Sequence, residues 1–234
     1  MKARTASTRL LDRLKKLWIR VLTGDCLRKT RLHTYSGNLI DLRGMRYLPS
    51  SMWSVFLLKA FGYRLRVPWL GYRAVTHLGH LVRPNWKVLE FGSGMSSLFF
   101  ARACSNLVSV ESDQSWHDRM QEMFSEEGMN NIDYRLCDPD SYNSHPDLPI
   151  NHFDLIVIDG MARDVSAQVA IQLVRPGGYI FYDNSDVPWE EYRKARNLLT
   201  AAAESNGVTI FNDFTPFQIQ VNESMLVKIS KRQH

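Results

Sequence analysis

The chain has 234 residues, 44% of them hydrophobic and 23% charged, which suits one globular domain with an elaboration and excludes a disordered or fibrous chain. Three scattered cysteines, Cys26, Cys104 and Cys137, form no Cys-x-x-Cys pair; this argues against a disulfide framework or zinc site and for a reducing, cytoplasmic home. The net charge of +5 hides an asymmetry: residues 1–89 hold 18 Lys+Arg and 3 Asp+Glu, leaving 11 and 21 for residues 90–234.

In chain order, Thr8 to Leu22 is the first element. Leu10, Leu11, Leu14, Leu17, Trp18, Val21 and Leu22 recur at helical spacing, with Arg9, Arg13, Lys16 and Arg20 opposite. Such a helix either packs on the domain with a solvated basic face or lies in a membrane interface. The N-terminus shows no apolar core followed by a cleavage site, so no secretory signal is expected. The segment from Cys26 to Arg46 is irregular and basic, and reads as loop or short strands. The longest charge-free run, Tyr47 to Leu58, has twelve residues and contains Pro49, too short to span a bilayer. A helix is expected over Ser50 to Phe61, stopped by Gly62, and another follows over Arg73 to Val82.

A strand, a glycine turn and a helix come next. Val88 and Leu89 lead to Glu90, then Gly92-Ser93-Gly94, and Met95 to Cys104 reads as helix. Backbone without Cβ atoms allows close approach of a ligand, and the helix start offers free N–H groups to it. Leu107 to Val110 reads as a second strand ending in Glu111, an acid placed to accept hydrogen bonds from a ribose diol. Ser97 stands where a dinucleotide fingerprint has its third glycine, which disfavours a nicotinamide-dependent oxidoreductase. Asp113 to Glu127 is a helix with Asp113 as cap; Ile132 to Leu136 is a third strand with Asp138 just beyond its tip. Phe153 to Ile158, a continuous apolar run, is a fourth strand buried on both faces and ends at Asp159-Gly160. A helix over Val165 to Val174 and a Pro176-Gly177-Gly178 turn lead to a fifth strand, Tyr179 to Tyr182, ending Asp183-Asn184. A helix reaching Ser205, stopped by Asn206-Gly207, and strands over Thr209 to Phe214 and Ser224 to Ile229 complete the chain.

The glycine turn with Glu90 before it and Glu111 after it resembles the class I S-adenosylmethionine-dependent methyltransferases, from about Trp86 onward. The resemblance implies an α/β fold: a seven-stranded, mostly parallel, doubly wound sheet whose last strand is antiparallel. It divides the chain into a basic, mainly helical extension (1–84) and a Rossmann-like domain (85–234). It implies S-adenosylmethionine as cofactor, with Glu90, Gly92, Ser93 and Gly94 around the methionine part, Glu111 on the ribose and Asp138 on the adenine. Trp69 and Tyr72 would then be either acceptor-pocket residues or core aromatics.

Asp159, Asp183 and Asn184 are hard ligands suited to Mg²⁺ or another divalent cation, and this pattern resembles that of catechol-type O-methyltransferases. Without a metal, Asp159 is the candidate general base, and Arg163 either pairs with it or binds an anionic acceptor. The expected reaction is methylation of a hydroxyl on a small molecule or glycan. Asp159-Gly160-Met161-Ala162 lacks the Asn/Asp-Pro-Pro-Tyr/Phe pattern of amino-group methylation, so a nucleic-acid acceptor is less favoured. An inactive module docking on membrane or RNA through residues 1–89 is the contrasting reading.

Overall fold

The computed structural model describes residues 27–230. The helix expected over Thr8 to Leu22, and Cys26, lie outside them. Ahead of the sheet come α1 (Leu42–Met45), α2 (Leu48–Phe61) and α3 (Tyr72–Leu81). Then β1 (Lys87–Phe91), α4 (Met95–Ala103), β2 (Asn106–Glu111), α5 (Gln114–Glu126) and β3 (Ile132–Leu136) follow in alternation. The second half holds β4 (Phe153–Ile158), α6 (Arg163–Leu173), β5 (Val174–Tyr182), α7 (Glu190–Ala202), β6 (Ala203–Phe214) and β7 (Val221–Ile229).

The strands form one sheet in the order β3-β2-β1-β4-β5-β7-β6. Pairings from β3 to β5 are parallel, and β7 runs antiparallel between β5 and β6. The expected α/β class and antiparallel last strand are what the chain adopts. In β4 the apolar run divides by alternation: Ile156 and Ile158 face a cluster that includes Ala167 and Ala170, while Leu155 and Val157 face one built with α3 and Phe100. Both faces of the central strands are therefore dry, which is why that stretch reads as unbroken hydrophobicity.

The chain order reversal falls between β1 and β4, so the crevice outside their carboxyl ends is where ligands of such sheets bind. Every expected strand of the Rossmann-like part is present, with shifts at two turns. Phe153 pairs with Val174 and Leu155 with Tyr179, so Pro176-Gly177-Gly178 forms an irregularity within β5 rather than a turn before it. Likewise Ala203 pairs with Ile229 and Val208 with Val227, which makes Asn206-Gly207 a bulge inside β6 and ends α7 at Ala202, earlier than expected.

The region before β1 is fastened to the β6–β7 edge. Asp213 on β6 accepts a hydrogen bond from the Arg73 backbone N–H at the start of α3, and Arg73 also reaches the Asn212 carbonyl. Leu70, Ala74, Leu78 and Val82 then recur every four residues and join the core beside Trp86 and Phe181. Of the segment from Cys26 to Arg46, expected as loop or short strands, the described residues 27–46 hold one isolated bridge, His33 with Leu39, and the four-residue α1.

Candidate active site

The glycine turn is shaped by contact with the tip of β4. Gly92 has φ of +97°, and a Cβ there would stand 2.5 Å from the Gly160 nitrogen. A Cβ on Gly160 would stand 1.8 Å from the Tyr142 hydroxyl. Two backbones and one phenol thus meet with no room for any side chain at either glycine. Tyr142 is buried, and its hydroxyl finds no hydrogen-bond partner among the described residues.

Beneath the turn sits Glu90, wholly buried, accepting hydrogen bonds from the Ser97 hydroxyl and, at 3.0 Å, from the Ser109 hydroxyl. The Ser97 hydroxyl also accepts from the Gly94 N–H at 3.0 Å. Serine at the third fingerprint position therefore couples the turn to the buried acid, a task glycine cannot perform. Burial pushes the Glu90 carboxyl up to about 7 against the pull of the serine hydroxyls, with Asp159 adding to the rise. Its second oxygen lacks a partner.

Glu111, at the end of β2, faces the turn from the other side. One carboxylate oxygen accepts from the N–H groups of Ser112 and Asp113 at 2.7 and 2.9 Å; the other accepts from the Ser93 hydroxyl at 2.6 Å. The phenol of Tyr134 on β3 lies 2.8 Å from the same Ser93 hydroxyl. Trp116 donates its indole N–H to the Ser93 carbonyl at 3.0 Å, held there because Asp113 caps α5 through the Trp116 N–H. Asp138 is exposed just past β3.

At the tips of β4 and β5 lies a second group. Arg163, buried in the first turn of α6, donates to the carbonyls of Ile158, Asp159, Gly160 and Asp183 and to an Asp159 carboxylate oxygen at 3.1 Å. Its guanidinium also lies over the rings of Tyr182 and Tyr192. Burial raises the Asp159 carboxyl while Arg163 holds it down. Asp183 is pushed well above the usual range by burial first and then by Asp159. One cation stands against two acids, and both carboxyls are held above the usual range, Asp183 the more so.

The expected cation site of Asp159, Asp183 and Asn184 thus has an arginine paired with one of its carboxylates. The guanidinium of Arg163 already supplies the positive charge there, and among the described residues no group of three His, Cys, Asp and Glu side chains converges as a metal site. Asn184, in the left-handed region at φ of 54°, turns the chain after β5. Of the two reserved aromatics, Trp69 lines a cavity of about 510 Å³ with Arg64, Met95, Trp116 and Arg119, directly beside the turn. Tyr72 instead stacks on Tyr47 at 5.2 Å, away from that cavity.

The structure therefore brings Glu90, Gly92, Ser93, Gly94, Glu111 and Asp159 to one crevice, with Asp138 at its rim. Sequence reasoning missed Tyr134, Trp116 and Tyr142. Trp116 had a signal, since a residue three beyond a capping Asp lies over the helix start; Tyr142, in an irregular loop, had none.

Residues 89–185 match a family model described as a methyltransferase domain. No curated protein matches the chain in sequence. Among solved structures it is similar to the O-methyltransferase TomG of Streptomyces achromogenes, in complex with S-adenosylmethionine, at 18% identity and a TM-score of 0.57, over 81% of this chain and 100% of that one. An O-methyltransferase of Bacillus cereus in complex with S-adenosylhomocysteine gives 18% identity, a TM-score of 0.57 and coverage of 80% and 97%. A tRNA methyltransferase, TrmI of Aquifex aeolicus, gives 10%, 0.56 and 76% of each chain, so the fold by itself does not choose the acceptor. With the turn, the paired acids and the strand order, these likenesses identify residues 89–185 as a methyltransferase domain, set in the seven-stranded fold of S-adenosylmethionine-dependent methyltransferases.

Proposed function

We propose that the chain methylates a hydroxyl group on a small molecule or glycan. The observation that carries this reading is the Asp159–Arg163 ion pair beside the Gly92 turn, which sets a carboxylate where the β4 tip meets the turn, in place to take a hydroxyl proton. The O-methyltransferases among the similar structures support it.

The residues present suit the cofactor: the Gly92–Gly160 approach leaves bare backbone, and the carboxylates suit a cationic sulfonium and a diol. When bound, S-adenosylmethionine supplies a methyl group activated by positive sulfur. Glu111 uses three of its roughly four acceptor positions within the protein, which leaves one for a ribose hydroxyl. Gly92, Ser93 and Gly94 hold the methionine part, Asp138 takes the adenine side, and Glu90 fixes the turn from below. Asp159 accepts the acceptor's proton, and Arg163 keeps its carboxylate oriented. Because Arg163 provides the local positive charge, Mg²⁺ or another divalent cation is not required. The cavity lined by Trp69 and Trp116 receives the acceptor.

Calorimetric titration with S-adenosylhomocysteine tests this reading, with Mg²⁺, with EDTA and with NAD as control. Micromolar or tighter binding, indifferent to EDTA, is expected, with none for NAD. Glu111→Ala should weaken it about tenfold, the worth of one hydrogen bond to a charged group. No binding under any condition would end the enzyme reading, unchanged affinity in Glu111→Ala would end the ribose assignment, and dependence on Mg²⁺ would overturn the role given to Arg163.

A further inference from the structure

Helix α2 is inside out. Its buried residues are the serines, Ser51 and Ser54, while Met52, Trp53 and Phe56 are exposed, Trp53 by 57% and Phe56 by 49%. Phe61 at its end and Tyr63 beyond are exposed by 70% and 56%. Hydrogen bonds fix this orientation. The Ser51 hydroxyl donates to the carbonyls of Thr215 and Gln218, and the Phe217 N–H donates to the Ser54 hydroxyl at 2.8 Å. The outward aromatics are ordered among themselves: Trp53 stacks on Phe56 at 5.4 Å, and Phe56 meets Phe61 edge-on at 5.8 Å. A soluble helix places its serines outward and its aromatics inward; reversing both leaves an apolar surface whose burial awaits a partner.

Charge indicates the partner. Between Asp41 and Glu90 there is no acidic residue; Lys59 lies on α2, and Arg43, Arg46 and Arg64 flank it in the chain, whereas Arg66 and Arg73 are paired with acids of the domain. Tryptophan and phenylalanine on one helix face, with arginine and lysine next to them in the chain, is the composition that settles at the headgroup level of an anionic bilayer. A second copy of this basic surface would be repelled, and RNA would leave the Met52–Phe56 face without an apolar cover. No helix among the described residues is long and apolar enough to cross a membrane, so contact here is with its surface. The cavity beside the glycine turn opens next to this face, since Gly62 to Arg66 line it directly after α2.

We infer that the exposed face of α2, centred on Met52, Trp53, Phe56 and Phe61, docks the protein on an anionic lipid surface. This goes beyond the methylation reading and does not depend on it. The test is co-sedimentation of the full chain with phosphatidylglycerol–phosphatidylcholine vesicles and with pure phosphatidylcholine vesicles, for the native protein and the double variant Trp53→Ser, Phe56→Ser. Binding to the anionic vesicles is expected, weakened about tenfold or more in the variant, with its melting temperature and S-adenosylhomocysteine affinity unchanged. Should the double variant unfold, Ala60→Glu reads the same exposed face with one added charge. Three results would each overturn the inference: no binding to anionic vesicles, binding untouched by these changes (which would place contact elsewhere), or loss in the variants of self-association or RNA binding instead.

Discussion

The two sides of the crevice handle buried acid differently. Below the glycine turn, Glu90 is surrounded by neutral hydroxyls from Ser97 and Ser109, which soften its burial without cancelling it. At the β4 and β5 tips, Asp159 and Asp183 share a buried cation, Arg163. Hydroxyls leave an acid whose carboxyl lies at about 7 and which fixes backbone; a cation pulls against the burial of one acid while the second stays well above its usual range. Neutral hydroxyls on one side and a cation on the other are two ways of holding acids at the carboxyl edge of one sheet.

The largest effect should come from removing the cation. Arg163→Met removes a buried guanidinium that holds four carbonyls and the Asp159 carboxylate, and should cost about 3–5 kcal/mol in urea unfolding. Adding Asp159→Asn should recover part of that loss. If the single variant unfolds like the native protein, the cation is not what balances these acids.

Next is the pH dependence of the floor. Glu90 holds its proton more tightly folded than unfolded, its carboxyl lying at about 7 instead of 4.5. Its contribution to stability is therefore full below about pH 4.5 and is lost as pH rises to about 7, by about 3 kcal/mol. Asp159, Asp183 and Asp213 are raised in the same direction, so the native protein slopes downward across this range. Glu90→Gln should flatten the slope by its share, measured as unfolding free energy between pH 5 and 8. An unaltered slope would mean that Glu90 does not carry it.

The smallest effect sharpens the role of serine in the turn. Ser97→Gly restores the glycine fingerprint yet removes the hydroxyl joining Glu90 to the Gly94 N–H. It should destabilise by about 1–3 kcal/mol and weaken cofactor binding. Tighter binding of S-adenosylhomocysteine by this variant would show that the hydroxyl is dispensable.

Much of this was legible from sequence because local rules act on short stretches. Strand alternation, the Asp113 cap, the Gly92 turn and the acids at strand ends each depend on a few neighbouring residues. Charge also showed the basic third of the chain. Yet where Pro176-Gly177-Gly178 and Asn206-Gly207 announced turns, pairing with β4 and β7 drew those residues into strands, since a bulge keeps the ladder that a turn would break.

The sequence by itself determined the order of strands and helices and the residue types along the carboxyl edge, because periodicity and turn chemistry are properties of the local chain. Tertiary structure alone decided which charges meet. It paired Asp159 with Arg163, put the Ser97 hydroxyl on Glu90, and brought Tyr142 against Gly160. It also turned the aromatics of α2 outward by engaging its serines with the loop after β6. Such pairings join residues far apart in the chain, and the balance between burial and a partner can be judged only once they are in contact.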